Sequence, residues 1–309
     1  METQQEIIKV ERLVKRYGDF TAVDGSEFSV HNGEVFGLLG PNGAGKTTTL
    51  EMLVGLRKPD EGTAIVGGFD ITRELDQVKE VIGVQLQSTT LFELLTVDEI
   101  LHLYGSFYRE HISIPELIDD MLLTEKKNSR IKGLSGGQKQ RLAIALALVH
   151  DPQIIFLDEP TTGLDPQARR TLWDIILRLK DRGKTVVLTT HYMDEAHVLC
   201  DRIAIMDQGK LIALDTPSEL VKNLQSDSAV EFRFNEDEVD VNLLEVDGVK
   251  QVGSQKDVHV LYTDDLQKTL TSLIALASEK ELKLVDLQTR TATLEDVFIH
   301  MTGRRLREG

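Results

Sequence analysis

Several residue types that mark particular classes of protein are scarce in this chain of 309 residues. Its one cysteine, Cys200, excludes an internal disulfide and fits a reducing compartment. The longest apolar run, Leu142–Val149, is far too short to cross a bilayer. The polar, acidic N-terminus has none of the features of a signal peptide. We therefore expect a cytoplasmic chain that leaves any crossing of a membrane to another polypeptide.

Positive charge is also in short supply. The chain has 35 Lys and Arg against 51 Asp and Glu, a net charge of −16. Nucleic-acid binding needs clustered Lys and Arg to neutralise phosphates, so this balance disfavours a nucleic-acid partner. The hydrophobic share of 41% is enough for a packed core, and the length favours about two domains.

What the chain does have is a glycine-rich loop of the phosphate-binding pattern GxxxxGK[ST]. Its residues are Gly40, Pro41, Asn42, Gly43, Ala44, Gly45, Lys46, Thr47 and Thr48. The flanks predict a buried strand over Glu34–Leu39 and a helix over Thr47–Val54. A strand, a glycine loop and a helix N-terminus aim backbone N–H groups at one point, which favours an anion. Lys46 adds charge for the outer phosphates and Thr47 a hydroxyl for Mg²⁺, so we predict a nucleoside triphosphate site.

A pair of carboxylates follows a second buried strand. Ile154–Asp158 is apolar until its last residue, as expected for a parallel strand buried on both faces, and Glu159 and Pro160 come next. Acids at the end of an apolar strand are costly to place without a purpose. We expect Asp158 to hold Mg²⁺, and Glu159, facing another way because strand residues alternate, to polarise a water molecule.

A second candidate anion site precedes the predicted helix Lys139–His150. Its residues are Leu134, Ser135, Gly136, Gly137 and Gln138. A serine and two glycines at a helix start offer a hydroxyl and bare N–H groups. The alternative interpretation is an ordinary helix cap.

Polar residues follow two further predicted strands. Gln87 ends the strand predicted over Val81–Gln87, and His191 follows the strand predicted over Thr185–Thr190. Such residues are commonly solvated or structural. However, ligands bind at the carboxyl edge of a parallel sheet, and that edge also carries Asp158. We therefore expect Gln87 and His191 to face the phosphates.

Two weaker candidates are Asp165 and Tyr17. Asp165 precedes Pro166 and is predicted to cap a helix that runs to about Asp181. Tyr17 offers a flat face on which an adenine ring could stack, although an aromatic residue alone is more often part of a core.

The chain divides into two predicted domains, residues 1–224 and 225–309. The first contains a mostly helical insertion, about residues 88–133, whose capping box is Thr96–Glu99. In the second, the order of predicted elements indicates a small α+β domain. Its strands are predicted over Val230–Phe234, Val249–Val252, Val258–Tyr262 and Leu282–Leu287, and its helix over Leu266–Glu279.

Over residues 7 to about 222, the order and spacing of these motifs resemble the nucleotide-binding subunit of an ATP-binding cassette (ABC) transporter. The correspondences are Gly40–Thr48 to Walker A, Ile154–Asp158 to Walker B, Leu134–Gln138 to the signature motif, Gln87 to the Q-loop, Gly163–Asp165 to the D-loop, His191 to the switch histidine and Tyr17 to the adenine-stacking aromatic. The C-terminal region is similar to the tail of daunorubicin-resistance-type exporter ATPases.

The resemblance implies an α/β phosphate-loop NTPase fold: a mixed central sheet, an antiparallel β subdomain, a helical subdomain and a small C-terminal α+β domain. It implies ATP and Mg²⁺ as cofactors, the metal held by Thr47, Gln87 and Asp158, and hydrolysis by Glu159, His191 and Lys46. Tyr17, the Gly40–Thr48 loop, Gln87, the Ser135–Gln138 segment and Asp165 would contact nucleotide. The partners would be a second copy or a homologous subunit in a head-to-tail dimer, and separate transmembrane permease subunits, with the chain on the cytoplasmic face of the membrane.

Two other functions remain open at this point. The chain could be a non-transport ABC ATPase acting in DNA repair or translation, but it has no long heptad region and no second cassette. It could instead power an importer, which only the identity of the membrane partner would distinguish.

Overall fold

The computed structural model describes residues 5–87, 90–224, 228–235, 241–255 and 258–302. The chain forms two compact units, Met1–Leu214 and Asp215–Gly309. Among the described residues, no helix combines the length and apolar character needed to span a bilayer. The predicted boundaries at residues 88 and 225 lie outside the described residues, so the division into 1–224, with its helical part, and 225–309 stays a prediction.

The first unit alternates strands and helices after an initial hairpin. Its strands are β1 Glu6–Tyr17, β2 Phe20–His31, β3 Val35–Leu39, β4 Glu61–Val66, β5 Phe69–Asp70, β6 Ile82–Gln85, β7 Ile154–Asp158, β8 Thr185–Thr190, β9 Arg202–Asp207 and β10 Lys210–Asp215. Its helices are α1 Lys46–Leu53, α2 Leu75–Val81, α3 Val97–Gly105, α4 Ile114–Asp120, α5 Gly136–Leu148, α6 Pro166–Asp181 and α7 Met193–Leu199.

The central sheet has the strand order β10-β9-β3-β8-β7-β6. Its neighbours from β9 to β6 are parallel, whereas β10 follows β9 through a two-residue turn, the kind of connection that joins antiparallel strands. The strands β3, β7 and β8 are buried along their whole length, which explains their continuous apolar sequences. Asp158 lies opposite Thr189, and Leu39 opposite Thr190, so the carboxyl ends of these strands form one edge.

A second sheet, of order β2-β1-β4-β5, is antiparallel. It shares a core with the central sheet, because Val10 and Val30 belong to the same apolar cluster as Phe36 and Leu50 of α1. Helix α1, which follows the phosphate-binding loop, is therefore held in place by packing in this shared core. This arrangement confirms the predicted mixed central sheet and antiparallel β subdomain.

Helices α3 and α4 lie between β6 and α5 in the chain and pack on each other. Helix α3 begins with the predicted capping box: Glu99 N–H donates to Thr96 Oγ1 at 3.2 Å, and the Glu99 carboxylate accepts from Thr96 N–H at 2.8 Å. The described part of the predicted insertion thus contains helices α3 and α4.

The second unit contains the antiparallel sheet β12-β13-β11-β14. Its elements are α8 Pro217–Lys222, β11 Ser228–Phe234, β12 Val249–Gln255, β13 Val258–Thr263, α9 Leu266–Glu279, β14 Leu284–Thr291 and α10 Leu294–Thr302. Val230 and Phe232 of β11 share a core with Leu273 of α9. The unit is the small α+β fold that the sequence predicts.

Candidate active site

The Gly40–Thr48 loop connects β3 to α1. At two of its glycines another part of the backbone passes so close that a side chain would not fit. A Cβ atom at Gly40 would lie 2.2 Å from the Met206 carbonyl oxygen. Gly45 has φ +102°, and a Cβ there would lie 2.5 Å from the Ala22 carbonyl oxygen. No side chain caps α1, so its first N–H groups remain open to a ligand. These are the features expected of an anion-binding loop.

Lys46, the first residue of α1, is buried at the mouth of this loop. Its Nζ donates to the carbonyl oxygens of Gly40 at 2.9 Å and Pro41 at 3.1 Å. The same Nζ lies 3.5 Å from Glu159 Oε1. Burial lowers the pKa of Lys46, and the Glu159 carboxylate opposes that shift. The cation is therefore held by the loop and by Glu159 together.

Thr47 and Asp158 meet across the edge of the central sheet. Thr47 Oγ1 donates to Asp158 Oδ1 at 3.1 Å, and Thr189 Oγ1 donates to the same oxygen at 2.5 Å. Asp158 is buried, and burial raises its pKa while the two hydroxyls oppose the shift. Thr47 and Asp158, two of the three residues predicted to hold a metal ion, therefore lie side by side.

Glu159 is turned by its own backbone rather than by strand alternation. Strand β7 ends at Asp158, and Glu159 has φ +46°, a left-handed conformation that is rare for a non-glycine residue. Its N–H is held by Thr189, whose carbonyl oxygen lies at 3.2 Å and whose hydroxyl lies at 3.0 Å. The prediction that alternation separates the two acids is wrong in its mechanism: the positive φ separates them.

Four polar groups surround the Glu159 carboxylate. His191 Nδ1 lies 3.3 Å from Oε2. The same oxygen accepts from Gln87 Nε2 at 3.4 Å and from Thr162 Oγ1 at 3.1 Å, while Lys46 faces Oε1. His191 contributes most to lowering the pKa of Glu159 to about 2; burial works in the opposite direction, and Lys46 adds to the lowering. The carboxylate is therefore ionised at neutral pH and suited to orient a water molecule.

Gln87 reaches this cluster from a position beyond the end of its strand. Strand β6 ends at Gln85, so Gln87 stands two residues beyond the sheet and is exposed. The prediction that the strand extends to Gln87 is wrong, because Gln85 is the last residue that pairs with β7.

The remaining candidates make other contacts. Ser135 caps α5 in a capping box with Gln138 and is exposed together with Gly136, and Asp165 caps α6 through a 2.9 Å bond from Ala168 N–H. Tyr17 is 42% exposed, with Lys15 and Arg57 beside its ring. Gly137 packs closely on α6, since a Cβ there would lie 2.8 Å from Ala168 Cβ. Ser135 and Asp165 thus do cap helices, and Ser135 also presents an open surface.

Sequence reasoning missed Thr189, which contacts both acids, and Thr162, which contacts Glu159. A signal for Thr189 exists, because it lies next to the carboxyl end of the buried strand β8 and pairs with Asp158 in parallel register. Thr162 has none, since its contact with Glu159 depends on the turn that the positive φ creates.

A parallel sheet whose carboxyl edge carries a glycine loop, a buried lysine, a hydroxyl and two acids defines a phosphate-loop nucleoside triphosphatase. Comparisons with known proteins narrow this class. The family described as ABC transporter matches residues 23–162. The linearmycin resistance ATP-binding protein LnrL of Bacillus subtilis is 36% identical, over 98% of this chain and 100% of that protein. A Nod factor export ATP-binding protein I of Ralstonia nicotianae is 38% identical, over 98% of this chain and 95% of that protein.

Solved structures agree. A nucleotide-free ATP-binding cassette from an ABC transporter has a TM-score of 0.64 and 29% identity, over 72% of this chain and 95% of that one. A dimeric ATP-binding cassette in a post-hydrolysis state with ADP and Pi has a TM-score of 0.61 and 29% identity, over 68% of this chain and 98% of that one. The chain therefore belongs to the ABC transporter family. It is an ATP-binding subunit of the kind that hydrolyses ATP to power transport.

Proposed function

We propose that this chain drives an exporter, as one of two ATP-hydrolysing subunits bound to separate transmembrane subunits at the cytoplasmic face of a membrane. Two kinds of relative support export: one is named for resistance to linearmycin and others for export of Nod factor, and each match spans almost the whole chain, including the second unit. The convergence of Lys46, His191 and Gln87 on Glu159 carries the proposal of hydrolysis.

In the proposed hydrolysis, Glu159 orients the attacking water and accepts its proton. Its low pKa keeps it ionised, and its contacts of 3.1 to 3.5 Å are loose enough to be exchanged for water and phosphate. His191 would hold the γ-phosphate and that water in place, and Lys46 would offset the charge that grows on the phosphate.

The donor set also fits Mg²⁺, which prefers oxygen ligands. The Thr47 hydroxyl and the Asp158 carboxylate lie 3.1 Å apart at the sheet edge, and the amide oxygen of Gln87 is a third oxygen donor near Glu159. We assign these residues to the metal, with Asp158 acting through water. When bound, the ion would neutralise phosphate charge.

The remaining nucleotide contacts are assigned by their exposure and chemistry. The Gly40–Thr48 loop would enclose the phosphates with its N–H groups, and the half-exposed ring of Tyr17 would stack on adenine. Gln87 would sense the γ-phosphate through Glu159. The open Ser135–Gln138 segment would bind phosphate of the nucleotide held by a partner, and Asp165 would lie beside it.

A head-to-tail dimer follows from this last assignment. Each chain would have one loop that binds a triphosphate and one exposed anion cradle, and a two-fold axis would bring each cradle over the other chain's nucleotide. Ser135 and Gly136 are exposed, as such a contact requires. One similar solved structure is itself a dimeric cassette. Either a second copy or a homologous subunit could be the partner.

Coupling to transport is assigned to the surface beside Gln87. A groove of about 300 Å³ lies there, lined partly by Leu91, Glu93 and Lys139, and Phe92 and Leu94 are exposed next to it. We propose that a cytoplasmic loop of the transmembrane partner occupies this groove. Charge reversal at the exposed Glu93, which lines the groove, and charge substitutions at exposed positions of the adjoining residues 96–130 should then reduce export or assembly.

The dimer is tested with Glu159→Gln. This variant should bind ATP but not release the dimer by hydrolysis, so gel filtration with ATP should yield a dimer that ADP does not support. Lys46→Ala in the same background is the matched control and should restore the monomer. Normal ATP turnover by Glu159→Gln, or a dimer that forms equally without nucleotide, would contradict the proposal.

A test of the exporter assignment requires identification of the transmembrane partner. Purification of the tagged chain from detergent-solubilised membranes should recover a protein with several membrane spans, whose deletion should cause its cargo to accumulate inside cells. Recovery of a soluble nucleic-acid complex instead would favour the non-transport alternative, and reduced uptake of the cargo would favour an importer.

A further inference from the structure

One buried glutamate in the first unit has no role in the proposed hydrolysis. Glu195 lies on α7, four residues after His191, and its exposed fraction is 0%. An ionised carboxylate is costly to bury, and burial raises the pKa of Glu195. Packing of α7 alone would be served by an apolar residue, as at Ala196 and Leu199.

The Glu195 carboxyl lies where three segments that lead to the active site come together. Its Oε1 accepts from Trp173 Nε1 of α6 at 3.0 Å. The hydroxyls of Thr190 and Thr161 lie beside it and oppose the effect of burial on its pKa, although Glu195 Oε2 and Thr161 Oγ1 have no hydrogen-bond partner among the described residues. Thr190 immediately precedes His191, and Thr161 follows Glu159 by two residues. One side chain therefore lies beside both segments that carry the catalytic pair.

A second connection runs parallel to the first. The Tyr192 ring lies 4.1 Å from the His191 ring, and the Arg169 guanidinium lies 4.3 Å from the Tyr192 ring centroid. Arg169 and Trp173 are four residues apart on α6 and so face the same side of that helix. Helix α6 thus holds the segment around His191 at two successive turns.

We propose that Glu195 is a positioning residue for ATP hydrolysis: by tying α7 to Trp173 of α6, beside the threonines before His191 and after Glu159, it sets the separation of His191 and Glu159. The inference rests on the roles proposed above for those two residues. His191 is held at 3.3 Å from Glu159 without a strong hydrogen bond of its own at Nδ1, so its place depends on the segment around it.

The test is a double-mutant cycle between Glu195 and His191. Glu195→Ala should lower kcat by about 10- to 100-fold, since a misplacement of about 1 Å can cost that much, while KM and ADP affinity stay unchanged. Glu195→Gln retains an oxygen that accepts from Trp173 and should keep most of the wild-type kcat. In a His191→Ala background, Glu195→Ala should cause no further loss of kcat.

Two further variants separate positioning from folding. Trp173→Phe removes the indole donor but retains a ring, and should lower kcat in the same direction as Glu195→Ala, again only when His191 is present. Glu34→Ala is the matched control: Glu34 is also a buried glutamate of this unit but lies beside the opposite end of β3. It should lower the melting temperature without any coupling to His191.

Two outcomes would overturn this inference and leave the proposed function intact. One is an equal loss of kcat from Glu195→Ala in the wild-type and His191→Ala backgrounds. The other is a wild-type kcat in both Glu195→Ala and Trp173→Phe. A wild-type kcat in His191→Ala would instead remove the role proposed for His191, and with it the basis of the inference. Should Glu195→Ala fail to fold, Trp173→Phe carries the same cycle.

Discussion

Two buried carboxylates, Glu159 in the first unit and Asp296 in the second, have opposite kinds of surroundings. Asp296 is fully buried and accepts from Tyr262 Oη at 2.8 Å, from Arg290 at 2.6 and 2.9 Å, and from the Thr293 N–H and hydroxyl at 2.7 and 3.0 Å. The polar atoms around Glu159 lie at 3.1 to 3.5 Å. The Asp296 carboxylate is saturated, whereas the Glu159 carboxylate is only loosely held.

This difference separates a structural site from a chemical one. Burial works to raise the pKa of Asp296, but Arg290 and Thr293 outweigh it and lower the pKa, so the acid stays ionised and fastens α10 to the sheet. Glu159 is equally ionised yet keeps room to change partners. Hydrogen bonds in active sites are often long before the substrate arrives and tighten with it. Short, saturated contacts indicate stability, and long convergent ones indicate catalysis.

The largest expected effect is on rate. Glu159→Gln should lower kcat for ATP hydrolysis by about 100- to 10,000-fold, the range for loss of a general base. Phosphate release at saturating ATP measures it, with ADP binding as the control for an intact nucleotide site. A loss of less than about tenfold would contradict the contrast drawn above, since Glu159 would then have no larger part in catalysis than Asp296.

The next effect is on stability. Asp296→Ala should destabilise the second unit by about 3 kcal/mol, the lower end for a broken buried pair, because Arg290 stays partly exposed and retains Glu231 at 3.4 Å. Hydrogen exchange of the amides of β11 and β13 measures the loss. The one tryptophan, Trp173, reports on the first unit and should show unchanged unfolding, with kcat also unchanged. A fall in kcat without faster exchange would assign Asp296 to function.

A smaller version of the same test uses Tyr262→Phe. It removes one donor to Asp296 and leaves Arg290 and Thr293, so we expect about 1.5 kcal/mol, as for a hydrogen bond to a charged group. The readout is again hydrogen exchange of β11 and β13. A loss as large as that of Asp296→Ala would mean that the contacts act as one unit rather than separately.

The last prediction concerns pH dependence. The folded pKa of Glu159 is about 2, below its ordinary 4.5, so its charge stabilises the fold fully above pH 4.5 and the contribution is lost as pH falls toward 2. The difference in melting temperature between wild type and Glu159→Gln should therefore be constant near neutrality and shrink below about pH 4.5. A difference that grows on acidification would mean that the Glu159 pKa is raised.

The sequence predicted the buried elements of the fold closely. The bounds of β7, α6, β8 and α9 agree with the structure, because continuous apolar runs and clear caps mark their ends. Helix α5 begins at Gly136, three residues before its predicted start, since the Ser135 capping box outweighs the low helix propensity of two glycines.

What the sequence could not supply is long-range geometry. Helix α7 went unpredicted because Met193–Leu199 is short, and the burial of its Glu195 depends on Trp173, which is distant in the chain. The members of the active site were predicted from motifs, yet the contact of Lys46 with Glu159 was not, because it requires the left-handed backbone at Glu159. Periodicity carries no information on such a turn.

The central claim is that neither chain completes a hydrolytic site alone, and mixing two inactive variants tests it most directly. Lys46→Ala lacks the phosphate lysine, and Ser135→Arg blocks the proposed cradle. If each site takes Lys46 from one chain and Ser135 from the other, an equal mixture should recover about a quarter of wild-type ATPase activity, from the one intact site of each mixed dimer. A mixture that forms mixed dimers yet stays inactive would mean that Lys46 and Ser135 serve the same chain, and would contradict the claim.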